Sequence, residues 1–275
     1  MFLDQSNELF LRPYFSIMSA RRTLTIFFFL IIFKISAIAE SGSIVAKPMV
    51  EPPEKIPPAS DTLNFEFSAA FQSRHVWRGT LTCKAWNIQP TFNVSRKNFL
   101  IGTWAAYTID NSYAEFDLYL SYTVGSFSVA ILDYFCPDEN QQFNRLFDFK
   151  QPTTKHTIDA ILTFNGTNNF PLQIMASTLI YGDDLEPNSG KNYFSTYVEA
   201  NYSLERTPIQ RFDFFIGVTP YKGYYANSFN IVNAGFSIEQ NLIITENFQI
   251  PVFGKLHLNP FKESIHFVFG LSINV

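Results

Sequence analysis

From Asp61 to its last residue the chain alternates apolar and polar side chains in short runs, and this period of two constrains the fold more than any other feature. The last run shows it best: Ile265, Phe267, Phe269, Leu271, Ile273 and Val275 share one parity, while His266, Gly270, Ser272 and Asn274 share the other with Val268. Successive side chains of a strand point to opposite faces, so the first set makes an apolar face and the second a polar one. Phe116, Leu118, Leu120 and Tyr122 oppose Glu115, Asp117, Tyr119 and Ser121 in the same way. Leu63, Phe65, Phe67, Ala69 and Phe71 oppose Asn64, Glu66, Ser68, Ala70, Gln72 and Arg74. Gly, Asn, Pro and Asp, the residues that turn a chain, separate these runs.

Two-faced strands build either a soluble sandwich or a barrel that crosses a membrane. Composition separates the two. Only 16% of the residues are charged, against about 25% in a soluble domain, and 17% are aromatic, with 31 Phe and 13 Tyr. In lipid every backbone N–H and C=O must find a partner within the protein, so strands cross only as a closed barrel. The expected fold is therefore all-β, a transmembrane antiparallel up-and-down barrel over 61–275 with about twelve strands. They are placed at 62–74, 83–94, 99–108, 113–123, 126–135, 155–164, 170–180, 192–204, 211–219, 228–239, 244–255 and 264–274. An even number returns both termini to one side, and the long connections, 75–82, 109–112, 136–154, 181–191, 220–227 and 256–263, then gather on the other. Short periplasmic turns and longer external loops put the termini in the periplasm and the barrel in a Gram-negative outer membrane.

The first sixty residues differ in kind. Residues 21–39 read as two arginines, an apolar run from Leu24 to Phe33 and a small-residue ending at Ala37-Ile38-Ala39. That is the layout of an export signal cleaved after Ala39, with Lys34 breaking the run before it reaches the length of a membrane helix. Residues 1–39 are assigned to this signal, with Met18 a better start than Met1. Residues 40–60 hold five prolines and few large side chains, which describes a periplasmic tether. No basic tract points to nucleic acid.

If the apolar parity meets lipid, the polar parity points into the barrel. Glu66, Arg74, Arg78, Glu115, Asp117 and Glu199 are then the lumen-facing candidates, either lining a conducting path or locked together as a structural network. Trp77, Trp104, Tyr107, Tyr119, Tyr122, Tyr134, Tyr181 and Tyr202 read first as anchors at the membrane interfaces, with packing inside the barrel as the alternative. Cys83 and Cys136 would both stand near the external end, where a disulfide is one outcome and two separate thiols the other. Enzymatic chemistry is not expected: His75, His156, His257 and His266 belong to no recognisable nucleophile or metal motif, and no cofactor is implied.

Ser73-Arg74-His75-Val76-Trp77-Arg78-Gly79 followed by Gln89-Pro90 resembles the TorF family of bacterial outer-membrane porins. The likeness continues through Gly102-Thr103-Trp104, Glu115-Phe116-Asp117-Leu118-Tyr119, Asp133-Tyr134, Tyr181-Gly182-Asp183, Tyr197-Val198-Glu199-Ala200-Asn201-Tyr202 and Asn259-Pro260, over roughly 65–275. It implies an outer-membrane barrel passing small solutes or ions by diffusion, with outer-membrane lipid and the barrel assembly machinery as partners. The chain ends in Val275 rather than the Phe of many such proteins, but the alternation before it is intact. A non-conducting structural or adhesive barrel is the alternative function, and a barrel hydrolase a more distant one.

Overall fold

The computed structural model of the chain describes residues 61–167, 170–245 and 248–274. The stretches read as an export signal (1–39) and a tether (40–60), together with Val275, lie outside the described residues. Fourteen strands follow one another: β1 (Asn64–Gln72), β2 (His75–Trp77), β3 (Thr80–Cys83), β4 (Asn87–Arg96), β5 (Phe99–Thr108), β6 (Ala114–Val124) and β7 (Phe127–Phe135). Then come β8 (His156–Phe164), β9 (Leu172–Gly182), β10 (Thr196–Thr207), β11 (Gln210–Thr219), β12 (Asn230–Thr245), β13 (Phe248–Asn259) and β14 (Ser264–Asn274). Twelve of them form a closed antiparallel up-and-down barrel, and β2 with β3 forms a separate two-stranded hairpin.

Closure is made by the first and last strands. β1 pairs with β14 on one edge, with Ala69 opposite Ile273 and Phe71 opposite Leu271, and with β4 on the other, with Phe67 opposite Phe92. Among the described residues no barrel strand is left with an open edge to pair with another chain. The alternation of the sequence maps onto this surface with apolar residues outside. On β14, Phe267 is 59% exposed and Phe269 54%, while the interposed Val268 is 3% exposed. The inner face of β4 is polar along its whole length, with Asn87, Gln89, Thr91, Asn93 and Ser95 all buried, whereas Ile88 and Phe92 face outward and are exposed. A soluble sandwich would bury the other parity.

The three shortest joins between barrel strands that are fully described lie at one end, which also carries the longer join 165–171. At the end that carries the start of β1 and the end of β14, β4 joins β5 through 97–98, β6 joins β7 through 125–126 and β10 joins β11 through 208–209. The opposite, or far, end carries 73–86, 109–113, 136–155, 183–195, 220–229 and 260–263.

Two sequence expectations need correction. Residues 62–74 were expected as one strand and 75–82 as an outward loop. Instead β1 stops at Gln72, the Ser73 amide bonds the Phe269 carbonyl at 2.9 Å, and the chain turns into β2 and β3. The turn between them, Arg78-Gly79, has φ of 48° and 76°, the pair of left-handed residues that closes a tight hairpin. Further on, a turn was expected at 240–243, but β12 runs to Thr245 because Gln240, Asn241 and Leu242 pair with Val252, Pro251 and Ile250. Residues that favour turns are kept extended here by partners on the neighbouring strand.

The closing seam is open to a direct test. In a background with Cys83→Ser and Cys136→Ser, the pair Ala69→Cys with Ile273→Cys is expected to form an intramolecular disulfide on oxidation, read as a shift in electrophoretic mobility. Ala69→Cys with Phe267→Cys, on the same outer face but far along β14, is expected to give none.

Candidate functional site

The hairpin of β2 and β3 folds into the barrel, and its tip reaches the opposite wall. At its base, the Gln89 side-chain amide bonds His75 Nδ1 at 3.1 Å, and the His75 ring lies 5.3 Å from that of Trp104. In its middle, Val76 and the partly buried Leu81 pack against Phe253 and Val268. At its tip, the Asn259 side-chain amide donates to the Gly79 carbonyl at 3.1 Å, and Lys262 Nζ donates to Thr80 Oγ1 at 3.1 Å. Gly79 is required twice over: its φ is 76°, and a Cβ would run into the Val232 carbonyl.

Arg78 ties this tip to the wall. Its guanidinium donates to Asp159 Oδ2 at 2.8 Å and to the Tyr225 hydroxyl at 2.6 Å, and it lies over the Trp77 ring at 4.6 Å and the Tyr197 ring at 5.1 Å. Asp159, inward on β8, also accepts from the Ser177 hydroxyl at 2.7 Å and 2.8 Å and from the Tyr134 hydroxyl at 3.1 Å. The ion pair is withdrawn from solvent, with Arg78 at 6% and Asp159 at 0% exposure. Such burial is tolerable only because hydroxyls and ring faces complete the shell around both charges. Tyr225 comes from the 220–229 connection, so a second far-end segment also turns inward.

Each residue singled out from the sequence can now be placed. Arg78, Glu115 and Asp117 line one cavity of about 70 Å³ beside the hairpin, together with Trp77, Trp104 and Tyr134. Glu115 accepts from the Tyr113 hydroxyl. Glu199 belongs to a different cluster, accepting from the Tyr197 hydroxyl and from the Asn233 amide at 3.0 Å, with His257 Nδ1 on Asn233 Oδ1 at 3.1 Å. Glu66 sits near the other end of the barrel, opposite Asn93. Arg74 occupies the bend between β1 and β2, and its buried Nε has no hydrogen-bond partner.

The disulfide is not formed, and both cysteines are free. Cys83 is turned toward its own strand ends, donating to the Ala85 carbonyl at 3.8 Å and accepting from Asn87 at 3.5 Å, while Cys136 is exposed where the 136–155 connection begins. The reading of the aromatics as interface anchors fails for Trp104, Tyr119 and Tyr134, which are buried on the inner parity, and for Trp77, whose hairpin carries it inside. Tyr107, Tyr122 and Tyr181 do face outward.

Sequence reasoning missed Asp159, Tyr197 and Tyr225. Only Asp159 left a trace, as a lone carboxylate within the apolar run Ile158-Asp159-Ala160-Ile161-Leu162. It also missed a second buried ion pair, Arg211 with Asp213 at 2.8 Å, where Ser203 and Ser237 bond the carboxylate at 2.6 Å and 3.0 Å. The ring nitrogens of His75, His156 and His257 bond Gln89, Asp133 with the Leu146 carbonyl, and Asn233 respectively; none of these partners is a serine. Among the described residues no group of three or more His, Cys, Asp or Glu side chains is arranged to hold a metal ion. The chain matches no known protein family profile, and no curated protein sequence matches it significantly.

Removing one partner of the buried pair strands the other. Arg78→Ala is expected to cost about 3–5 kcal/mol of stability, and Asp159→Asn a similar amount. Because both changes break one contact, the double variant is expected to lose clearly less than the sum, read from urea midpoints of the refolded barrel. Additive losses would contradict the latch.

Proposed function

We propose that the protein is an outer-membrane channel of porin type for small solutes or ions, with the β2–β3 hairpin as its constriction. The observation that carries this reading is the inversion of the barrel: exposed Phe, Ile, Leu and Val outside, Asn, Gln, Ser, Thr and charged residues inside. An exterior of that kind suits hydrocarbon, and a polar interior suits water. Outward Tyr107 and Tyr181 toward the far end, and Tyr122 toward the end with the termini, fit rings at two membrane interfaces. Short turns on the side of the termini favour a periplasmic position for both. The likeness to the TorF porins belongs to the same reading.

The interior is not a clear tube. The hairpin crosses it, and a cavity of about 70 Å³ lies beside it. Passage therefore requires either movement of the hairpin or solutes small enough to pass around it. This favours a low-conductance channel over a general pore. One observation supports a second reading, a shut barrel that serves as anchor or adhesin: Phe143 and Phe147 on the 136–155 connection are largely exposed.

Planar-bilayer recording separates the two. The channel reading predicts small, reproducible ion steps from the wild-type chain and larger ones from Arg78→Ala, in which the tip loses its hold on Asp159. Folded protein that gives no steps with either chain would leave the anchor reading.

A further inference from the structure

The cavity beside the hairpin carries two unmet demands. Asp117 is 1% exposed, yet its Oδ1 has no hydrogen-bond partner, and the indole Nε1 of buried Trp104 has none either. Both residues line the cavity. A buried carboxylate oxygen without a donor, and an N–H without an acceptor, each cost free energy unless something in the cavity meets them. At roughly 10–15 Å³ for each water-sized probe, a volume of about 70 Å³ has room for several waters or one molecule of a few heavy atoms.

The charges around the cavity define what that molecule is. Glu115 and Asp117 stand two residues apart on the inner face of β6, the lining's two carboxylates. The one formal cation of the lining, Arg78, is committed to Asp159 at 2.8 Å. His75 Nδ1 accepts from the Gln89 amide at 3.1 Å, which is the neutral form's role. The cavity therefore faces its contents with two carboxyl groups and no uncommitted cation, walled by Trp77, Trp104, Tyr119 and Tyr134. Aromatic faces attract cations and exclude bulk water from them. Among the described residues no group of three or more His, Cys, Asp or Glu side chains is arranged to hold a metal ion, and the cavity's two carboxyls fall short of that.

We propose that this cavity binds a small organic ammonium cation, with Asp117 as its anionic partner and Trp104 Nε1 donating to a hydroxyl or water carried with it. The inference deepens the channel reading and rests on it for how the cation arrives. It makes the constriction a selective step, in which ammonium solutes are held while neutral ones of equal size are not.

Tryptophan fluorescence tests binding apart from transport. The chain has three tryptophans; Trp77 and Trp104 line the cavity, and Trp86 stacks on Phe71 instead. With the full chain folded in detergent and Trp86→Phe removing the third signal, ethanolammonium is expected to give a saturable change at constant ionic strength. Ethylene glycol, its neutral isostere, and sodium chloride are expected to give none. Asp117→Asn, which keeps shape and removes charge, is expected to weaken the ammonium by about tenfold or more; if that chain does not fold, Glu115→Gln carries the same direction. A response shared by ethylene glycol, or one unchanged in the folded variant, would overturn the site. Binding without bilayer conductance would retain the site and remove the channel, whereas conductance without binding would do the reverse.

Discussion

Closure of the sheet through the pairing of β1 with β14 is the constraint on which the rest depends. Once the ladder is closed, every barrel strand has two neighbours and the side-chain period of two becomes a division between inside and outside. The outside is apolar, as the runs of Phe, Ile and Leu dictate. The inside inherits the polar parity, and a buried polar side chain must find a partner. The interior is therefore organised by hydrogen bonds and ion pairs more than by apolar packing.

The hairpin follows from that requirement. A barrel with Asp159, Asp213, Glu115, Asp117 and Glu199 on its inner wall crowds carboxyl groups into a confined space. Arg211 answers Asp213 from the same strand, but Asp159 is answered from across the barrel by Arg78. The hairpin thus supplies a counter-charge along with its bulk. Its left-handed turn at Arg78-Gly79 presents the guanidinium to the wall, and Trp77 and Tyr197 cover it from bulk water. The remaining carboxyls, Glu115 and Asp117, face the cavity, so occlusion and the cation preference proposed above would share one arrangement.

The barrel was legible in the sequence because its cause is local. Alternation in β6, β14 and β1 needs only a few consecutive residues to be seen, and turn residues mark the connections between such runs. The hairpin was hidden because its causes are distant. β2 has three residues and β3 four, too few for a period to show, and Arg78 finds partners 56, 81 and 147 positions away. For Trp104 and Tyr134 ring chemistry favoured the interface role over the alternative of packing inside, which is where their inner parity places them. The extension of β12 to Thr245 depends likewise on partners in β13.

Amide hydrogen exchange across the hairpin tests the central claim, that the Arg78 tip is docked inside a closed barrel. In the folded protein the amides of Val76, Leu81 and Cys83 are predicted to exchange far more slowly than those of the exposed 136–155 connection, approaching the protection of β4. Exchange of the hairpin as fast as that connection, with the barrel strands still protected, would contradict the account.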